Sequence, residues 1–251
     1  MQNDKSATII GCVFLAVVLA VCLLRPVDDF DVARMLLPDV SDFEFYPAAP
    51  PMPAVVPTPM PELLAEYEAF LAKEAPHLLE VTQPGLTPDE IHRLEAEYDF
   101  TLTQDLRELY QWRNGTPIEE FDGPFPYMWF LPLDTSLETR AKLARDHELI
   151  DPKMKQFDDE WLAHTYPWID IFLNAAGEGY HFDPQRAESE GSFFYCSDGY
   201  VFYPSVRNYI AEVVADVRAG RFYFEDGEFN HKESSYEEWE TNTNRYGVTV
   251  R

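Results

Sequence analysis

The hydrophobic period of the chain changes at Gly115, and no other feature limits the fold as tightly. Before that glycine, apolar residues return every three to four positions, the spacing of amphipathic helices. Leu63, Leu64, Tyr67, Phe70 and Leu71 mark a helix that ends before Pro76. Ile91, Leu94 and Tyr98 mark a second, and Leu106, Leu109, Tyr110 and Trp112 a third. After Gly115 the apolar residues form short aromatic or β-branched runs: Tyr127–Leu133, Trp168–Leu173, Tyr180–Phe182, Phe193–Cys196 and Tyr200–Tyr203. Turn residues such as Gly177, Gly179 and Asp198-Gly199 separate them, as in strands. Two stretches regain the helical period. One runs from Asp134, its expected cap, to Ile150. The other starts at Ser205, carries Val206, Tyr209, Ile210, Val213, Val214 and Val217 on one face, and ends at Gly220. Helices, then strands, then a closing helix predict an α+β domain. Its central sheet is mostly antiparallel, with N-terminal and C-terminal helices packed on it. Trp168 and Tyr209 are expected in the core between sheet and closing helix.

Local signals place the helix ends. Thr87-Pro88-Asp89-Glu90 has the form of a capping box, with proline at the first helical position and glutamate three residues after the cap. Thr103 caps the next helix, and Asn114-Gly115 is expected to be its left-handed stop. The carboxylates of this stretch therefore cap and solvate helices, and its aromatics pack.

The N-terminus has a different character. Residues 7–24, ATIIGCVFLAVVLAVCLL, are uncharged and apolar, bounded by Lys5 and Arg25. Eighteen such residues match the lower limit of a membrane-spanning helix and also a long signal-peptide core. No polar region separates the apolar run from a cleavage site after Ala20, which favours an uncleaved anchor. Cleavage would instead make the domain an exported one. Lys5 against Arg25 and Arg34 leaves the orientation open. Residues 26–61 read as a tether, because PAAPPMPAVVPTPMP excludes helix and central strand and favours extended polyproline geometry. The organisation is thus a membrane anchor or signal segment at 1–25, a proline-rich linker at 26–61, a folded domain at 62–220 and an acidic extension at 221–251 that the pattern does not place.

Charge narrows the partners. The net charge is −26, and all but one of the 45 acids lie beyond residue 25. Such a field repels phosphate backbones, so nucleic acid is not an expected partner, and basic protein surfaces are steered toward it. Of the three cysteines, Cys12 and Cys22 fall in the apolar run and Cys196 in the aromatic FFYC. No disulfide framework and no reactive thiol follow from that placement.

The chemical motifs have plain structural explanations. His181 and Asp183 stand two apart on a strand and point the same way, but no third metal ligand accompanies them. His92 and Glu95 fit a solvated helix face, and His147 and Glu148 sit near a helix end. Gly177-Glu178-Gly179 lacks the third glycine and following helix of a dinucleotide loop. No GxSxG, phosphate loop or HExxH occurs. No catalytic residue, metal ligand or cofactor is expected from these motifs.

Read in order, these motifs have a counterpart. Pro84–Ile91, Leu94-Glu95 and Leu106–Tyr110 ending in Asn114-Gly115 resemble the opening helices of the SMI1/KNR4 (SUKH) family. Phe130–Asp134 looks like its first strand and the turn into the next helix. Trp168–Phe172 with Gly177–Asp183 is similar to its central hairpin, and the helix from Ser205 to its final one. The resemblance spans about residues 62–220. Glu178 stands where the family usually has Asp, the stretch between Leu149 and Trp168 is long, and the membrane run and the tail are additions. The resemblance implies protein recognition, as in bacterial immunity proteins that neutralise toxins and in a fungal regulator of cell-wall synthesis. Glu178, His181 and Asp183 are then the candidate partner-binding residues. The rival expectations are an exported acid/base hydrolase of cell-wall carbohydrate that uses carboxylates near Asp183 and Glu178, and a regulator of cell-wall assembly.

Overall fold

The structure, a computed structural model, describes residues 51–117, 123–149, 168–174, 178–196, 200–225, 228–232 and 236–250. The apolar run at 7–24, the linker up to residue 50, the long stretch between Leu149 and Trp168, the turns at Gly177 and Asp198-Gly199, and the side chains of His147, Glu148 and Cys196 lie outside that description. Among the described residues, no helix is long and apolar enough to cross a membrane.

Four helices come first: α1 (Met60–Glu74), α2 (Pro76–Val81), α3 (Pro88–Glu97) and α4 (Gln104–Trp112). Both hydrogen bonds of the capping box form. The Glu90 amide donates to Thr87 Oγ1 at 3.3 Å, and the Thr87 amide donates to Glu90 Oε2 at 2.8 Å. Those bonds hold the Glu90 carboxyl below the usual carboxylate range. The apolar stripes of α1, α3 and α4 are buried together: Leu64, Tyr67, Leu71, Ile91, Leu106, Leu109 and Tyr110 all lie in one core.

The end of α4 differs from the expected left-handed stop. The helix closes at Trp112, and Arg113 is already extended, bridging to Pro84. Gly115 does take a positive φ of 73°, but for a packing reason. A Cβ there would sit within 2.6 Å of the backbone of Phe130, Leu131 and Pro132. Asn114 turns inward, and its Oδ1 accepts the Leu133 amide at 3.0 Å. Leu133 opens the next helix, α5 (Leu133–Leu149), so the cap expected of Asp134 is supplied from nineteen residues upstream. Asp134 instead accepts from the neighbouring Thr135 amide.

The strands are β1 (Trp129–Phe130), β2 (Ile169–Leu173), β3 (Gly179–Phe182), β4 (Phe193–Cys196) and β5 (Tyr200–Tyr203). The first is shorter than its apolar run, since Pro126 and Pro132 flank it and Tyr127 has a φ of 60°. Helix α6 (Val206–Arg218) follows, with Gly220 left-handed after it. The tail also folds: β6 (Phe222–Glu225) and β7 (Glu228–His231) pair as a hairpin, and α7 (Tyr236–Thr243) leads into β8 (Val248–Val250). The main sheet has the order β1-β2-β3-β4-β5-β8, and every pairing in it is antiparallel. The protein is α+β.

Helix α6 is the centre of the core. Tyr209 lies 4.1 Å from the Tyr180 ring, 5.4 Å from Phe172, 5.8 Å from Phe193 and 5.9 Å from Tyr203. Burial raises the hydroxyl pKa of both Tyr180 and Tyr209. Trp168 is not in this layer. Strand alternation turns it to the opposite face, where it is half-buried 4.5 Å from Phe194.

Candidate functional site

The three candidate residues all belong to β3 or its flanks, yet the strand separates them. One rung of the sheet runs Asp170, His181, Phe194, Phe202 and Val248. Residues directly opposite share a face, so this rung forms the sheet face away from α6. His181 Nδ1 lies 2.8 Å from Asp170 Oδ1, and the imidazole packs against Trp168 and Phe194. A carboxylate only accepts, so Nδ1 carries the shared proton. Arg186 stacks 4.3 Å over Phe202 on the same face.

Asp183 follows the strand and is buried. Its amide donates to the Ser192 carbonyl at 2.8 Å, and its Oδ1 accepts the Gln185 amide at 2.8 Å. That is a turn closed by a short polar side chain. The carboxylate thereby shapes an exposed loop, 184–190, which displays Glu188 and Glu190 to solvent. Glu178 is at the other end of β3, on the α6 side. It accepts from Asn174 Nδ2 at 2.8 Å and from the Tyr195 hydroxyl at 3.4 Å. Five residues of extended chain place Glu178 and Asp183 about 16 Å apart along the backbone. Paired carboxylates in glycoside hydrolysis stand about 5–9.5 Å apart.

Other polar pairs link elements. Glu95, expected on a solvated face, is buried. It accepts from the Leu102 amide at 2.8 Å and from Arg107 Nη2 at 2.8 and 3.1 Å. His92 is 3.8 Å from the same carboxylate. Arg207 of α6 donates to Asp105 of α4 through Nε at 3.0 Å. Among the described residues, no three His, Cys, Asp or Glu side chains converge as metal ligands.

Sequence reasoning missed the residues that bind α6 to its surroundings: Asn208, Glu212 and Asp216, one turn apart and all buried. Their signal was present. Three polar residues at four-residue spacing stand beside the apolar Val206–Val217 stripe. Without knowing that the tail folds, that spacing reads as an ordinary solvated face.

The SMI1/KNR4 family model (SUKH-1) matches residues 85–216, just over half of the chain. The matched region starts ahead of the capping box and stops within α6. It takes in the whole of β1 to β5, leaving α1, α2, the hairpin β6–β7, α7 and β8 outside. No curated protein matches the chain.

Proposed function

Because the chain belongs to the SMI1/KNR4 family (SUKH-1), we propose that it is a non-catalytic protein-binding module of the immunity type. Its partner is a toxin with a basic surface, and residues 7–24 tether it to a membrane through the proline-rich stretch. The family match over residues 85–216 carries this reading. Domains of this family bind protein partners.

Two features support the finer parts. The charge of −26 favours encounter with a basic protein. The exposed 184–190 loop offers Glu188 and Glu190 as rim carboxylates, with Asp183 holding the loop from below and His181–Asp170 bracing the sheet face beside it. Glu178 contributes from the far end of β3.

The test is whether a toxin gene lies beside this one and whether this protein protects cells from its product. Cells producing both proteins should grow, and capture of the toxin by the full-length protein should weaken as salt rises from 50 to 150 mM, where the screening length falls to about 8 Å. Exchanging Glu188 and Glu190 for lysine should slow association. No protection, together with sugar release from cell-wall polymers that Asp183→Asn abolishes, would replace binding by hydrolysis. Carbonate washing tests the tether: the protein should stay with membranes, whereas a mature N-terminus near Val21 would show a cleaved signal.

A further inference from the structure

The C-terminal extension is held to α6 by one polar stripe. Asn208, Glu212 and Asp216 succeed one another at four-residue steps, so they line one side of the helix. Each bonds a different part of the extension. Asn208 Nδ2 donates to the Tyr246 carbonyl at 2.8 Å. Glu212 Oε1 accepts from the Thr243 hydroxyl at 2.8 Å, and Asp216 Oδ1 accepts from Arg221 Nε at 2.7 Å. Glu212 also reaches the sheet, where its Oε2 accepts from the Tyr203 hydroxyl at 2.8 Å. Asn208 further clamps the lead-in segment, accepting from the Val56 amide and donating to the Ala54 carbonyl, each at 3.1 Å. Every one of these extension contacts lies outside the matched family region on one side and inside it on the other.

We propose that this stripe is a pH-sensitive latch: loss of the Glu212 proton loosens α7 and β8 from α6 and uncovers the β5 edge that β8 occupies. Glu212 is the middle residue of the stripe and, like Asp216, is buried. Around it stand Tyr203 from β5, Tyr180 from β3, Tyr209 and Asp216 from its own helix, Thr243 from α7 and Arg221 from the turn after α6. Of these groups Arg221 is the cation, and Asp216 already engages it. Burial, with Asp216 adding to it, pushes the Glu212 carboxyl up to about 7, against the bonds from Thr243 and Tyr203. The ionised form is therefore the strained one in the closed seam. Opening the seam admits water, returns the group toward its ordinary range and releases a proton. Opening must then grow easier as pH rises from the ordinary carboxylate range toward 7, by at most about tenfold per pH unit. An uncovered β5 presents unpaired backbone groups, the kind of edge that accepts another strand.

Hydrogen exchange on the full-length protein tests the latch. Between pH 5 and pH 8, after correction for intrinsic exchange, protection at residues 243–249 should fall by about one to two orders of magnitude, while β3 amides keep theirs. Glu212→Gln preserves shape and hydrogen bonding but cannot ionise, so its extension should hold the same protection at both pH values. Thr243→Val removes the bond from the extension's side and should raise exchange there at both. A flat wild-type profile would overturn the latch. So would an unchanged slope in Glu212→Gln, or unaltered exchange in Thr243→Val. Protected β3 amides show in each case that the variant is folded.

Discussion

On the α6 side of the sheet, Phe172, Tyr180, Phe193 and Tyr203 enclose Tyr209, while on the other side Phe194 and Phe202 share a rung with the Asp170–His181 pair and lie beside Trp168 and Arg186. Both faces draw on the same runs of sequence, FFYC and YVFY, because successive residues of a strand point to opposite sides. The α6 face is filled by a helix, and tyrosine hydroxyls there find partners within the protein: Tyr203 donates to Glu212 and Tyr195 to Glu178. The opposite face keeps the hydrogen-bonded Asp170–His181 pair and a half-buried indole at its margin, where a polar group retains part of its hydration. One face is therefore chiefly stability, and the other is where polar side chains are held in a fixed arrangement.

The largest test of that contrast is Tyr209→Ala. Removing a ring from the centre of the aromatic cluster should cost about 3–5 kcal/mol, read as a large drop in thermal or denaturant midpoint. A small loss would mean that α6 is not the centre of the core.

Next comes pH. Since the Glu212 carboxyl is raised from the ordinary carboxylate value to about 7, the native state holds an extra proton between those limits. Stability is highest below the unfolded value and declines as pH rises through 7, by about 3 kcal/mol at the upper bound. Chemical denaturation at pH 5 and pH 8 should show this fall, and Glu212→Gln should flatten it. Rising stability over the same interval would contradict the burial of an uncompensated carboxylate.

Trp168→Ala should cost about 1–2 kcal/mol, because a half-buried ring removes less apolar surface from water. Equality with Tyr209→Ala would erase the distinction between faces. The smallest effect belongs to Asp170→Asn, which weakens one bond to His181 and should cost about 1 kcal/mol. If partner capture drops while the melting midpoint barely moves, the opposite face serves recognition. If both fall in proportion, it is scaffold.

Much of the fold was legible because its signals are local. Thr87 and Glu90 lie three residues apart, so their reciprocal bonds follow from sequence alone. The strand limits of β4 and β5 came from short aromatic runs between turns. The candidate residues were harder to interpret. Their place on β3 could be read from the chain, but not that Glu178 and His181 face opposite sides, or that Asp183 shapes a loop instead of presenting itself.

By itself, then, the sequence determined the periods, the capping box, the α+β order and the family pattern, all set by interactions within a few residues. Tertiary structure decided what depends on approach between distant segments. Asn114 caps a helix nineteen residues away, Glu95 finds Arg107 across a turn, and Asp105 meets Arg207 over a separation of 102. The acidic tail, polar and without a clear period, gained its place because a helix face and a sheet edge were there to receive it: Asn208, Glu212 and Asp216 on one side, the open ladder of β5 on the other. A buried donor or acceptor must be satisfied wherever its partner lies, and only the folded chain reveals that partner.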